Sequence, residues 1–139
     1  MGAPQIQALA QGDGPLQLSL FDERDLAEIT SPDFPGERLI VCRNRELATE
    51  RARQREALLV ATERELARVQ AQVRRKGSSL RSVAEIGLAV GEVVNAKKMA
   101  KHFALDIRDG HFSWCRKLEQ IAAEAKLDGI YVVRNQRAG

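Results

Sequence analysis

Aromatic side chains are nearly absent from this chain: four Phe, one Trp and one Tyr make up 4% of 139 residues. Any core must therefore be built from Leu, Ile, Val and Ala, and it is thin for the length. Cysteine is equally scarce. Cys42 and Cys115 each lie in an apolar run and form no Cys-x-x-Cys pair. That pattern excludes a disulfide framework and predicts reduced, buried thiols. No segment approaches the length of a membrane span. The first seven residues lack the basic cluster and apolar core of a signal peptide, and Ile6 stands where a myristoylation signal needs Ser or Thr. There is no Gly-rich phosphate loop, no Gly-x-Ser-x-Gly elbow and no His-Glu-x-x-His helix. A cytoplasmic protein with no membrane partner is the expectation.

What is present is ordinary in amount and uneven in place. Hydrophobic residues make up 44% and charged residues 29%, as in a soluble domain. Residues 1–44 carry 3 basic and 7 acidic groups, residues 45–101 carry 13 and 7, and residues 102–139 carry 6 and 5. The net charge of +3 thus conceals a basic middle. Such a concentration suits a polyanionic partner, and equally the solvated face of a long helix.

The patterning predicts an α+β chain in three stretches. In residues 1–44, Leu16, Leu18 and Leu20 alternate with polar neighbours, and Leu39 to Cys42 form a short apolar run, so both read as strands. Thr30 to Gly36, with two prolines and a glycine, reads as tight turns. Residues 45–101 read as a basic helical hairpin. Asn44 is a plausible N-cap, and no Pro or Gly interrupts Arg45 to Lys76. Ala48, Ala52, Leu59, Thr62, Leu66, Val69 and Val73 make a narrow stripe suited to an antiparallel or coiled-coil partner. After Gly77-Ser78-Ser79, a second helix is expected over Leu80 to Lys98, with Val83, Ile86, Val90 and Val94 inward. Gly87 and Gly91 either admit a close helix or simply weaken this one. In residues 102–139, Phe103, Leu105 and Ile107, then Phe112 and Trp114, alternate about Asp109-Gly110 as a β-hairpin. A helix over Lys117 to Lys126, with Leu118, Ile121, Ala122 and Ala125 inward, and a strand from Ile130 to Arg134 follow.

Groups able to do chemistry are few. His102 and His111 have no second Cys/His pair at ligand spacing. His111 and Cys115 share a strand face but lie too far apart for a thiol and its base. Asp22, Glu23, Asp25 and Glu28 are consistent with a magnesium site, and more simply with a solvated turn leading into a helix whose dipole they favour. Trp114 is the one side chain large enough to stack strongly on an unpaired base, yet its inward position on the hairpin suits a core. The cations are the better candidates for binding. Arg43 and Arg45 straddle the helix start, Arg51 and Arg55 share a face, Arg74, Arg75 and Lys76 cluster at its end, and Lys97, Lys98 and Lys101 precede the hairpin. Arg74 to Lys76 also offset the helix dipole, a purely structural use.

Several strings resemble the DDE transposases encoded by bacterial insertion sequences. They are Leu20-Phe21-Asp22-Glu23, Ser31 to Arg38 continuing to Asn44, Lys101-His102-Phe103 and Asp128 to Arg134. The resemblance covers nearly the whole chain, from Ala3 to Arg134. It implies descent from a magnesium-dependent enzyme of RNase H-like fold, in which two Asp and one Glu hold two metal ions that activate water or a 3′-hydroxyl. It further implies that this stretch lies between the second Asp and the Glu, as a β-rich insertion plus a closing strand. The family's Glu belongs to a Tyr-x-x-Arg-x-x-x-Glu signature. Tyr131 and Arg134 match its first spacing by coincidence, but Ala138 stands where the Glu is needed. Asn135 to Gly139 depart from the usual continuation, as truncation or a frameshift would produce. No catalytic residue carries over. The expectation is an inactive transposase fragment, with DNA, a full-length transposase or a second copy engaged through the long helix as partners. The alternative is a small DNA-binding or transposase-interacting regulatory protein.

Overall fold

A computed structural model describes Ile6, Phe21 and residues 26–136, the side chains of 135 and 136 excepted. The expected strand at Leu16 to Leu20 lies outside these residues, as do Asp22, Glu23 and Asp25. The chain is mixed α and β, in the order β1 (Leu26–Ile29), β2 (Glu37–Arg43), α1 (Arg45–Arg74), α2 (Val83–Ala96), a 3-10 turn (Ala100–His102), β3 (Phe103–Arg108), β4 (His111–Arg116), α3 (Leu118–Ala125) and β5 (Ile130–Gln136). It divides into two compact units, 1–52 with 125–139, and 53–124. Each has its own core.

The first unit is a three-stranded antiparallel sheet in the order β1-β2-β5. Its registers, Val41 with both Ala27 and Val132, and Leu39 with both Ile29 and Arg134, bring alternate residues of three distant segments onto one face. Ala27, Ile29, Leu39, Val41, Ile130 and Val132 are buried there. Each fully buried Leu or Val contributes about 1.5–3 kcal/mol. Glu28, expected to begin a helix, instead lies in β1 opposite Ile40. The apolar alternation of Ala27 and Ile29 outweighs the helical preference of the neighbouring acids. The turn before β2 forms as its prolines predict. Ser31 Oγ accepts from the Asp33 N–H at 3.3 Å, and the Phe34 N–H donates to the Ser31 carbonyl at 3.0 Å. The strand expected at Ile130 to Arg134 forms β5, which pairs along its length with β2 and lies at one edge of the sheet.

The second unit packs the later part of α1, α2 and the β3–β4 hairpin. Asn44 caps α1 by accepting the Leu47 N–H at 3.0 Å. Leu59, Thr62, Leu66, Val69 and Val73 are its buried seam, and against them lie Ile86, Val90, Val94, Met99, Phe103 and Phe112. Thr62 tolerates burial because its hydroxyl donates to the Leu58 carbonyl at 2.7 Å. Ala52 is exposed, so the stripe is used over only part of its length. The hairpin forms about Asp109-Gly110 in the expected register, Leu105 opposite Trp114 and Ile107 opposite Phe112.

Three expectations fail on packing. Val83 is half exposed because it follows the cap, ahead of the first core-facing position, Ile86. Leu118 is 70% exposed, and of the four α3 residues expected inward only Ile121 packs against the core. Cys115 is exposed and Cys42 half-buried, although both are free. Cys115 pairs with Ala104, on the hairpin face opposite Phe112 and Trp114. No neighbouring atom lies within 4 Å of a Cβ built at Gly87 or Gly91, so these glycines do not mark a close helix approach. No helix among the described residues is long and apolar enough to cross a membrane.

Candidate nucleic-acid interface

The ten cations singled out from the sequence are put to different uses. Arg43 lies over the Phe21 ring, 4.7 Å from its centroid, a cation–π contact that belongs to the sheet. Arg45 opens α1 and Arg51 is exposed on it. Arg55 is largely buried and faces Glu124 at 3.5 Å. The Lys101 ammonium reaches the same carboxylate at 3.0 Å. Lys97 and Lys98 end α2, where the Met99 N–H donates to the Val94 carbonyl and the Lys98 N–H to that of Asn95. This doubly bonded helix ending forces Lys98 to φ 56°, a left-handed conformation usually given to glycine. Both lysines stabilise the negative end of that helix dipole.

Glu124 is the centre of a clasp. The His102 ring is 2% exposed, and its Nε2 lies 2.6 Å from Glu124 Oε2. An ionised carboxylate only accepts, so Nε2 carries the proton and donates. Nδ1 has no partner among the described residues. The His102 carbonyl accepts the Lys117 N–H at 2.8 Å. Burial pushes the Glu124 carboxyl upward, but the hydrogen bonds from His102 and Lys101 outweigh it and hold the group below its usual range. His102 is thus a core histidine, consistent with the absence of ligand spacing around it. His111 contacts Asp106 at 3.3 Å, on the hairpin. No group of three His, Cys, Asp or Glu able to hold a metal ion occurs among the described residues.

A second network fixes the hairpin to α1. Arg116 donates to Glu63 at 2.6 Å and to Glu56 at 2.9 Å, and these carboxylates raise its affinity for its proton. The Trp114 indole N–H donates to Glu63 at 3.2 Å, and its ring stacks on Phe112 at 5.7 Å. Trp114 is therefore committed to packing, which removes it as a stacking platform for a base.

Arg51, Arg64, Lys97 and Lys98 are exposed without an acidic partner among the described residues, but only the end of α1 gathers three such cations in succession. Arg74, Arg75 and Lys76 are exposed, and none has an acidic partner among the described residues. Beside them lies Arg81, which belongs to none of the basic clusters evident in the sequence and is likewise exposed and unpaired among the described residues. Val73, Arg74, Arg81, Ser82, Glu85 and Asp109 line a surface cleft of about 660 Å³ here. Its two acids are already engaged. Glu85 and Ser82 form a reciprocal capping box, the Glu85 N–H donating to Ser82 Oγ at 3.1 Å and the Ser82 N–H to Glu85 Oε1 at 3.3 Å. Asp109 accepts the Val83 N–H at 3.0 Å. The signal that would have found Arg81 was the Ser82-x-x-Glu85 box, which places Arg81 just ahead of a helix. Lys97 and Lys98 stand at the far end of α2, about 20 Å along the helix from Ser82, so the sequence's two basic clusters do not merge into one site. Comparison of the chain with family models, curated proteins and solved structures finds no match in any of them.

Proposed function

We propose that this chain is a non-catalytic portion of an insertion-sequence DDE transposase, and that it contacts DNA without cutting it. The observation that carries the reading is the run of unpaired cations Arg74, Arg75, Lys76 and Arg81, in a molecule whose other arginines are mostly committed to carboxylates or rings. An array of free guanidinium groups is suited to phosphate oxygens, which it can meet bidentately. The lineage rests on the family-like strings. Two of them, 35–44 and 128–134, are hydrogen-bonded neighbours in one sheet, so the similarity falls on residues that hold each other in place. In this reading the RNase H-like core, its acidic triad and its two magnesium ions belong to the family's full-length enzyme.

The transposase-interacting form of the alternative, in which the long helix pairs with a full-length transposase or a second copy, draws less support. Leu59, Leu66, Val69 and Val73 are buried within the chain and offer no seam to a partner.

Fluorescence anisotropy of the purified chain with a 20-base-pair duplex, alongside a magnesium-dependent cleavage assay, tests the proposal. Binding that weakens steeply with salt, without strand cleavage, is expected. Failure to bind at about 50 mM salt refutes the DNA reading, and cleavage refutes the non-catalytic one. The lineage is tested by translating the flanking DNA in all frames, where upstream acidic motifs and a downstream Tyr-x-x-Arg-x-x-x-Glu helix are expected; unrelated flanks refute it.

A further inference from the structure

Arg81 is positioned against the interest of the fold. It immediately precedes the N-cap Ser82 of a 14-residue helix, where the dipole is positive and a cation is repelled. Arg74 has the opposite situation, since it ends α1 and stabilises that helix's negative terminus. The backbone holds Arg81 firmly nonetheless, because its carbonyl accepts the Gly110 N–H at 2.7 Å and so fastens the segment to the hairpin turn. The guanidinium forms no ion pair or hydrogen bond among the described residues. The two carboxylates lining the cleft are turned to α2, Glu85 to Ser82 and Asp109 to the Val83 N–H. They also fill the helix N-terminus, so an incoming anion cannot use those N–H groups and must be held by side chains.

From this arrangement we infer that the cleft between Arg74 and Arg81 holds one backbone phosphate of a nucleic-acid strand. The inference rests on the DNA-contact reading above and locates it. Arg74 and Arg81 approach the phosphate from two elements, the end of α1 and the connection into α2, and Arg75 and Lys76 extend the positive surface beside them. Arg81 supplies the part of the grip that has no structural use. The seated phosphate neutralises the repulsion between Arg81 and the α2 dipole, and the capped acids set an upper limit on affinity by facing the same space. Contact is to the backbone, so it is independent of base sequence.

The test is anisotropy of the full chain on the 20-base-pair duplex between about 50 and 300 mM salt, comparing wild type, Arg81→Gln and Asp109→Asn. Arg81 is exposed, so its replacement leaves the fold intact, and the thermal midpoint by circular dichroism verifies this. Loss of one phosphate contact lowers the slope of log affinity against log salt by about 0.9, and weakens binding about eightfold at 0.1 M relative to 1 M salt. Asp109→Asn keeps an oxygen to accept the Val83 N–H and removes a negative charge from the cleft, so binding tightens severalfold. Wild-type binding with an unchanged slope in Arg81→Gln overturns the cleft assignment and leaves DNA contact standing. Failure of wild type to bind overturns both.

Discussion

Replacing Gly129 with alanine isolates one backbone approach in this molecule. Gly129 adopts φ 75°, and its carbonyl accepts the Asn44 N–H at 2.8 Å. A Cβ there would collide with the Asn44 carbonyl oxygen and lie 2.9 Å from the Ala48 nitrogen and 3.0 Å from the Ala48 Cβ. Two of those three atoms are backbone, and a clash with backbone cannot be relieved by a rotamer change. The left-handed conformation costs about 1 kcal/mol with a side chain present, forced overpacking about 1–3 kcal/mol, and the displaced hydrogen bond about 1 kcal/mol. A total of roughly 3–5 kcal/mol approaches the whole stability of a small domain. With a urea slope of about 2 kcal/mol per molar, the midpoint falls by about 2 M. Gly36 supplies the control. Its φ is 73°, yet nothing lies within 4 Å of its Cβ, so Gly36→Ala loses only the conformational part. The readout is direct because the chain has one Tyr and one Trp, Tyr131 in the sheet and Trp114 in the hairpin core. Urea unfolding followed at Tyr131 should show the large shift for Gly129→Ala and a shift of about 0.5 M for Gly36→Ala. Equal shifts for the two variants would refute the close-approach argument.

Two further outcomes follow from the second unit. The Glu124 carboxyl is held below its usual value of 4.5, so its contribution to stability is complete above that value and is lost as pH falls through the lowered one. Thermal midpoints of wild type and Glu124→Gln should therefore differ at pH 7 and converge toward pH 3; a constant gap would mean that the charge on Glu124 is irrelevant to the clasp. Lys98→Gly relieves the left-handed strain at φ 56° and should raise stability by about 1 kcal/mol despite removing a cation from a helix C-terminus. A drop in the thermal midpoint would show that the charge matters more than the backbone.

Elements specified by neighbouring residues were legible in the sequence. The uninterrupted run after Asn44 gave α1, and Asp109-Gly110 between alternating apolar residues gave the hairpin and its register. Both rest on short-range rules, capping and turn chemistry. What required distant partners was hidden. Leu26 to Ile29 is a weak strand in isolation and becomes β1 because Leu39 to Cys42 lies beside it. The outward Leu118 could not be known from spacing, since its helix touches the core through Ile121 alone. For the candidate site, Arg74 to Lys76 stood out as a basic cluster. Separating them from Arg55 and Lys101 needed Glu124, a residue with nothing distinctive about its local context. Arg81, a single arginine between Leu80 and Ser82, has no pattern of its own, and its significance comes from the helix that starts after it.

The pairing of β2 with β5 also sets an order of events as the chain is made. Residues 53–124 form their core from stretches that leave the ribosome in succession, so this unit can condense while synthesis continues. The sheet cannot. Glu37 to Arg43 must wait for Ile130 to Gln136, its partners in register, before one side of β2 is satisfied. During that interval an apolar strand, Leu39 to Cys42, is exposed to any other edge it meets. The vulnerable interval therefore runs from the emergence of β2 to that of β5, and the fate of the emerging chain depends on how quickly β5 follows.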